Sequence, residues 1–192
     1  MAVKTREKLI DVACQLFARN GVENTTMNDI AEASEKGRRT IYTYFKNKLE
    51  IFNAVIERES EQSVVKLREV LSLNLTATEK IELFYKIKFK SVQEELIKQD
   101  SLYSYFSLDL KRFNRIRRLT STKETEILQS ILAEGISAKE FSPIQAKKLI
   151  SLNSVIFQGL DMSIYKDTTI SEEDKKALEE NILEFIIAAI KL

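Results

Sequence analysis

A run of basic and hydroxyl side chains near the amino end is the part of this sequence best suited to binding a polyanion. Between residues 36 and 48 the chain has five basic residues and no acidic one. Threonine and tyrosine hydroxyls lie among them, and these groups can bond phosphates. An arginine can bond a guanine edge through two hydrogen bonds, and a threonine methyl can contact thymine. The candidate DNA-contacting residues are Thr26, Arg38, Arg39, Thr40, Tyr42, Thr43, Tyr44, Lys46 and Lys48.

Simpler interpretations of these residues stay open. The basic run could be a solvated surface, and Tyr42 or Tyr44 could be an ordinary half-buried packing residue. A second acid-free cluster contains six basic residues between Lys111 and Lys123. That cluster could be a solvated face, attract an anionic ligand, or contact DNA beside a recognition site.

The composition argues against an enzyme. The chain has no histidine, the most common general base and zinc ligand, and it has neither a GxGxxG nor a P-loop motif. We therefore predict no catalytic residue, no metal site and no cofactor. The single cysteine, Cys14, cannot form an internal disulfide, and it reads as a small core residue. With no signal peptide and no apolar run long enough to span a membrane, a cytoplasmic location is expected.

An all-α fold is expected because the 192 residues include four glycines and one proline, too few for a sheet with tight turns. Apolar residues recur at helical spacing, and capping residues precede several of the apolar runs. Gly37 is predicted to mark the break between two short helices, and Gly135 to end a long one. The predicted helices cover residues 5–19, 26–34, 38–45, 48–73, 76–98, 101–108, 109–133, 142–165 and 171–190.

The second and third short helices, with the tight break between them, form a predicted helix-turn-helix. A helix that enters the major groove needs an inner face that fixes it and an outer face that donates hydrogen bonds. Ile41 and Phe45 meet the first need, and Arg39 and Thr43 lie on a different face. The fourth helix has a polar middle, which suits a connector between two bodies. We predict a DNA-binding domain over residues 1–50 and a helical effector-binding and dimerisation domain over residues 51–192.

The first fifty residues resemble the DNA-binding domain of the TetR family of transcriptional regulators. One departure lies in the turn, where the family usually has Ala-Gly-Val-Ser and this chain has Ser34-Glu35-Lys36-Gly37. The glycine has thus moved by two places, and Arg39 replaces the usual small residue before the threonine. The matching residues are Ala13, Leu16, Phe17, Gly21, Thr25, Thr26, Ile30, Ala31, Thr40, Ile41, Tyr42, Thr43, Tyr44, Phe45 and Lys48.

The resemblance implies a homodimer held by the last two helices, which form a four-helix bundle with the partner. The apolar character of both helices agrees with this. The predicted interface residues are Leu152, Ile156, Leu160, Leu178, Ile182, Phe185 and Ile186.

The resemblance also implies a small-molecule effector that binds the larger domain and weakens operator binding. Aromatic residues there favour a hydrophobic or aromatic effector, although aromatics at helical spacing are more often plain core. The candidate pocket residues are Tyr85, Phe89, Tyr103, Phe106, Phe113 and Phe157.

The sequence therefore predicts a sequence-specific DNA-binding transcriptional regulator, a repressor released from its operator by a small molecule. Its partners would be a palindromic double-stranded operator, a second copy of the chain and the effector. The alternative is a DNA-binding regulator without a small-molecule ligand, controlled by a protein partner or acting as an activator.

Overall fold

The computed structural model describes residues 2–99, 110–163 and 169–192. Within these ranges the chain is all-α, as predicted: it has eight α-helices, one 3-10 turn over Val70–Ser72 and no β-strand beyond a single bridge between Phe141 and Lys191. None of the described helices has the length and apolar character needed to cross a membrane. The helices are α1 (Ala2–Asn20), α2 (Met27–Ala33), α3 (Arg38–Tyr44), α4 (Lys48–Glu69), α5 (Ala77–Gln99), α6 (Leu110–Ser137), α7 (Pro143–Ser163) and α8 (Glu172–Ile190).

Most predicted helix boundaries agree with the structure to within a few residues, but Gly135 does not end α6. The helix continues to Ser137, and its left-handed terminal residue is Lys139, with φ 61°. Gly135 is needed for a different reason, because the ring of Phe141 packs directly on it. A Cβ atom at position 135 would lie 2.1 Å from the Phe141 ring. The predicted short helix at 101–108 lies outside the described residues.

The chain divides into two compact units. The N-terminal unit comprises Met1–Gln62 with Ile97–Arg118, and the C-terminal unit comprises Ser63–Leu96 with Leu119–Leu192. Helix α4 runs without interruption through residue 50, where the sequence places a domain boundary. The functional division at residue 50 stays a prediction.

The N-terminal unit has its own apolar core, built from one face of each of its first helices. The face of α1 is buried because apolar residues recur along it at helical spacing. The aromatic rings of Phe17 and Phe52 meet edge to face, with centroids 6.1 Å apart. The largest fully buried side chains of this core are Leu9, Ile10, Ile30, Ile41 and Ile51.

The C-terminal unit has a separate core that also contains buried polar groups. Its fully buried aromatic residues are Phe84, Tyr85 and Phe141. Lys80 of α5 is buried too, and its ammonium donates to both carboxylate oxygens of Glu134 of α6 at 2.9 Å. This ion pair joins α5 to α6.

Glu140 fixes the amino end of α5 from the loop that follows α6. Its carboxylate accepts hydrogen bonds from the backbone N–H groups of Ala77 and Thr78 and from the Thr78 hydroxyl, at 2.8–3.1 Å. Partial burial acts to raise the pKa of Glu140. The hydrogen bonds from Thr78 and Ala77, together with the nearby charge of Lys191, outweigh burial and lower this pKa.

In the Glu140→Gln variant, the free energy of unfolding should therefore fall less steeply than in the wild type as the pH is lowered. A carboxyl group whose pKa is lowered by folding stabilises the fold above its unfolded pKa, and this stabilisation is lost as the pH falls through the folded pKa. Urea unfolding of both proteins between neutral pH and about pH 3 would measure the difference. Equal slopes for wild type and variant below the ordinary glutamate pKa would contradict this role of Glu140.

Candidate DNA-binding site

Helix α2 begins with a capping box, which fixes the start of the helix-turn-helix. The Thr26 hydroxyl accepts from the Asp29 N–H at 3.2 Å, and the Asp29 carboxylate accepts from the Thr26 N–H at 2.7 Å. The hydrogen bond from the Thr26 N–H, followed by that from the Thr26 side chain, lowers the pKa of the Asp29 carboxyl group. Thr26, predicted to contact phosphate, is exposed at this helix start. Its structural role here is to cap α2.

The turn between α2 and α3 depends on Glu35 rather than on Gly37, which corrects the prediction for this turn. Glu35 has φ 56°, whereas Gly37 has φ −64°, which any residue can adopt. The N–H groups of Glu35 and Lys36 bond the carbonyls of Glu32 and Ala31, the pattern of a Schellman motif. Glu35 therefore occupies the left-handed position that usually holds glycine, at a cost of roughly 1–2 kcal/mol.

The inner face of α3 is fixed as predicted. Ile41 is fully buried and Phe45 is 3% exposed, so both side chains anchor the helix to the core of the N-terminal unit. Arg38, Arg39 and Thr43 are exposed on α3, and Tyr42 is 43% exposed. Further predicted contact residues lie on or beside the same helix: Thr40 and Tyr44 are half-buried, Tyr44 against the core, and Lys46 is exposed.

Two short-range contacts order the exposed face of α3. The guanidinium of Arg38 lies 6.0 Å from the centre of the Tyr42 ring, one helical turn away, where a cation–π attraction can hold it. The Thr43 hydroxyl donates to the Arg39 carbonyl at 3.0 Å, which orients the Thr43 side chain. Arg38 and Arg39 thus lie on a short helix with no acidic residue in its sequence. A face of this kind can bond phosphates and base edges.

The amino end of α4 adjoins this face. The Asn47 side chain accepts from the Glu50 N–H at 3.0 Å and so caps the helix, as predicted. The Lys48 ammonium donates to the carbonyls of Val22 at 2.6 Å and Glu23 at 3.1 Å, in the loop before α2. Lys48 therefore ties α4 to that loop. A phosphate contact by Lys48 stays a prediction, and it would have to share or replace these bonds.

Two residues of α1 also belong to this region, and the sequence did not identify them. The Arg6 guanidinium lies 5.3 Å from the centre of the Phe45 ring, just past the end of α3. The Lys8 ammonium lies 3.2 Å from the carboxylate of Glu35 in the turn. No spacing rule links residues so far apart in the chain. The one signal in the sequence was Glu35, a glutamate at a turn position where the family usually has glycine.

Three of the candidate pocket residues come together in the C-terminal unit. Tyr85 and Phe157 stack with centroids 5.8 Å apart and planes 11° apart, and Phe89 lies 5.8 Å from Phe157. Tyr85 and Phe89 are buried, and the Tyr85 hydroxyl donates to the Asn153 side chain at 2.9 Å. Burial raises the pKa of Tyr85. Tyr103 and Phe106, together with the side chain of Phe113, lie outside the described residues.

The candidate interface residues divide by exposure. Leu152 is 54% exposed and Phe185 is 76% exposed, while Ile156, Leu178 and Ile182 are half-buried. Ile186 was predicted to contact a partner. It is 3% exposed and packs in the chain's own core, so its side chain is not available for that contact. The side chain of Leu160 lies outside the described part. Two further exposed apolar residues on α7 are Ile144 and Val155.

Residues 9–55 match the family described as bacterial regulatory proteins, tetR family. This segment contains the caps, the turn and the exposed arginines of α3. The N-terminal segment of the chain is thus similar to proteins of this family. The relatives that the chain matches are named as regulators, which supports the prediction that it is not an enzyme.

Two sequence relatives differ in how much of this chain they match. A probable acrEF/envCD operon repressor from Escherichia coli K12 is 37% identical over 91 residues, which are 47% of this chain and 39% of that protein. The match thus spans well under half of the repressor's length. A fatty acid metabolism regulator protein from Bacillus subtilis is 27% identical over 191 residues, covering 95% of this chain and 94% of the regulator.

Two solved structures share the fold over nearly the whole chain. A transcriptional regulator from Cytophaga hutchinsonii has a TM-score of 0.77 and 25% identity, covering 97% of this chain and 98% of its own. The regulator FadR from Bacillus subtilis, solved in complex with stearoyl-CoA, has a TM-score of 0.65 and 22% identity, covering 96% and 98%. The likeness to FadR concerns the fold alone.

Gly37→Ser should stabilise the protein, by about 0.5–1 kcal/mol, because two effects act together. The serine hydroxyl can cap α3, and any residue other than glycine lowers the entropy of the unfolded chain. Space is available, since a Cβ atom at position 37 would meet its nearest neighbour at 4.0 Å. Urea unfolding would measure the change, with Gly37→Ala as the uncapped control. Destabilisation by both variants would mean that Gly37, not Glu35, needs the left-handed conformation.

Proposed function

We propose that this chain is a transcriptional repressor that binds a palindromic operator as a homodimer and is released by a hydrophobic small molecule. The observation that carries the proposal is the acid-free, arginine-bearing face of α3, which the buried side chains of Ile41 and Phe45 direct away from the core. The family match over residues 9–55 supports DNA as the partner. The names of the relatives support control of transcription.

The predicted dimer finds support in the exposed apolar residues of α7 and α8. Leu152, Val155 and Phe185 are each more than half exposed on helices that contact each other. A cluster of exposed large apolar side chains is unfavourable in water and favours burial by a partner. A second copy of the chain would bury this surface symmetrically, and a two-fold dimer would match a palindromic operator.

The effector site is proposed at the aromatic cluster of Tyr85, Phe89 and Phe157 in the C-terminal unit. Aromatic walls with a few polar groups are typical of small-molecule sites, and here the Tyr85 hydroxyl and Asn153 supply polar groups. The B. subtilis relative, named as a fatty acid metabolism regulator, and the FadR structure with stearoyl-CoA support a hydrophobic effector.

Selection of binding sites from random duplex DNA, at about physiological salt, tests the proposal. A recovered palindrome is the expected result, and hydrophobic compounds can then be screened for release of that duplex. A palindrome that no small molecule releases would favour the alternative, a regulator controlled by a protein partner or acting as an activator. Recovery of no sequence by a folded dimer would contradict sequence-specific binding by the unliganded protein.

Arg39→Ala should relax specificity at one position of the selected operator, at a cost of about 1–3 kcal/mol. Lys46→Ala, which removes an exposed charge beside α3, should weaken all duplexes about equally and reduce the slope of log K against log salt by about 1. Lys48→Ala should also weaken all duplexes, with an added loss of stability because its bonds to Val22 and Glu23 are lost. Fluorescence anisotropy on operator and scrambled duplexes would measure these effects. An unchanged sequence preference in Arg39→Ala would rule out base reading by Arg39.

Phe185→Glu should convert the dimer to a folded monomer, because it places a charge where an apolar surface would be buried. Sedimentation velocity would report the association state, and circular dichroism would confirm that the helices are retained. Val65→Glu is the matched control, since Val65 is also exposed and apolar but lies on α4. A Phe185→Glu protein as dimeric as Val65→Glu would exclude Phe185 from the interface.

A further inference from the structure

A buried ion pair adjoins the aromatic cluster of the C-terminal unit. The Lys88 ammonium of α5 lies 2.6 Å from a carboxylate oxygen of Glu124 of α6, and the two side chains are 12% and 9% exposed. The same ammonium lies 5.0 Å from the centre of the Phe157 ring of α7. One carboxylate and one aromatic face thus bind a single cation, in a surrounding that includes Tyr85 and Phe89.

The chemistry around the Lys88 ammonium is that of a site for an organic cation. A carboxylate neutralises the charge, and the face of an aromatic ring attracts it through the ring quadrupole. Both attractions are strengthened where water is excluded. In the chain as described, the occupant of this site is the protein's own lysine.

The two partners of the ion pair differ in how easily an incoming group could displace them. Lys88 has a long, flexible stem, and its ammonium can turn outward to water while the stem stays on the apolar surface. Glu124 is shorter and more deeply buried. An anionic ligand that formed an ion pair with the Lys88 ammonium in place of Glu124 would leave the Glu124 carboxylate unpaired. An unpaired charge in a surrounding of low dielectric is strongly unfavourable. A cationic ligand would keep Glu124 paired and return Lys88 to solvent.

We propose that this site binds a hydrophobic effector carrying an alkylammonium or quaternary ammonium group, which replaces the Lys88 ammonium between Glu124 and Phe157. The apolar part of such a molecule would lie against Tyr85 and Phe89. This inference rests on the proposed function, because it names the chemical class of effector for the aromatic cluster proposed as the effector site. Lys88 then acts as an internal competitor that sets the affinity for the ligand.

Calorimetric titration of the full chain with hexyltrimethylammonium, hexanol and hexanoate tests the proposal, because these probes share one apolar chain and differ in charge. The cation should bind at least about tenfold more tightly than the other two. Hexanol or hexanoate binding as tightly as the cation would overturn the proposal, as would a failure of all three to bind the folded protein.

Variants at the ion pair separate a binding site from a purely structural contact. Glu124→Gln should weaken cation binding at least about tenfold, since it removes the neutralising charge. Lys88→Met should tighten cation binding by about tenfold, because it removes the internal competitor. Lys88→Gln keeps a hydrogen-bond donor beside Glu124 and should also tighten cation binding. This second variant allows the proposal to be tested even if Lys88→Met does not fold. Unchanged cation affinity in these variants would overturn the proposal.

The ion pair of Lys80 and Glu134 provides the matched control. It also joins α5 to α6 through a buried lysine, and Lys80→Met should leave cation affinity unchanged. Tighter binding in Lys80→Met as well would mean that general loosening of the fold, not removal of a competitor, explains the Lys88 result. DNA binding is measured separately. Operator binding without cation binding would overturn this inference alone, and cation binding without operator binding would overturn the proposed function alone.

Discussion

The candidate DNA-binding surface depends on the burial of two apolar side chains, Ile41 on α3 and Phe45 directly after it. A helix of seven residues is too short to be stable by itself, so its position must come from tertiary contacts. Ile41 and Phe45 provide them, and together they bury surface worth about 3–6 kcal/mol. Once these residues are buried, helical geometry alone requires that Arg39 and Thr43 lie on another face.

The turn before α3 shows how a local cost is tolerated when neighbouring contacts are strong. Glu35 adopts a left-handed conformation that glycine would adopt without strain. The hydrogen bonds from Glu35 and Lys36 back to α2 hold the turn closed, and α3 then begins at Arg38. The geometry of the helix-turn-helix is thus retained although the glycine lies two residues later than usual.

The C-terminal unit combines an apolar core with polar groups that are each paired. The pairs are Lys80 with Glu134, Lys88 with Glu124 and Tyr85 with Asn153, and each joins two different helices. A buried ion pair contributes little net stability, because desolvation opposes the attraction between the charges. Each pair instead links a particular position on one helix to a particular position on another, and the Lys88 pair places charge next to the ring of Phe157.

The sequence by itself determined the all-α class, most helix boundaries and the inner face of α3, because these follow from local periodicity and from capping residues such as Thr26 and Asn47. Only the tertiary structure decided that Glu35 carries the left-handed turn, that Gly135 lies inside α6 beneath Phe141, and that Ile186 is buried. It alone placed Lys88 beside Glu124 and Phe157. These features depend on contacts between residues distant in the chain, and spacing within one helix carries no information about which residue of another helix lies opposite.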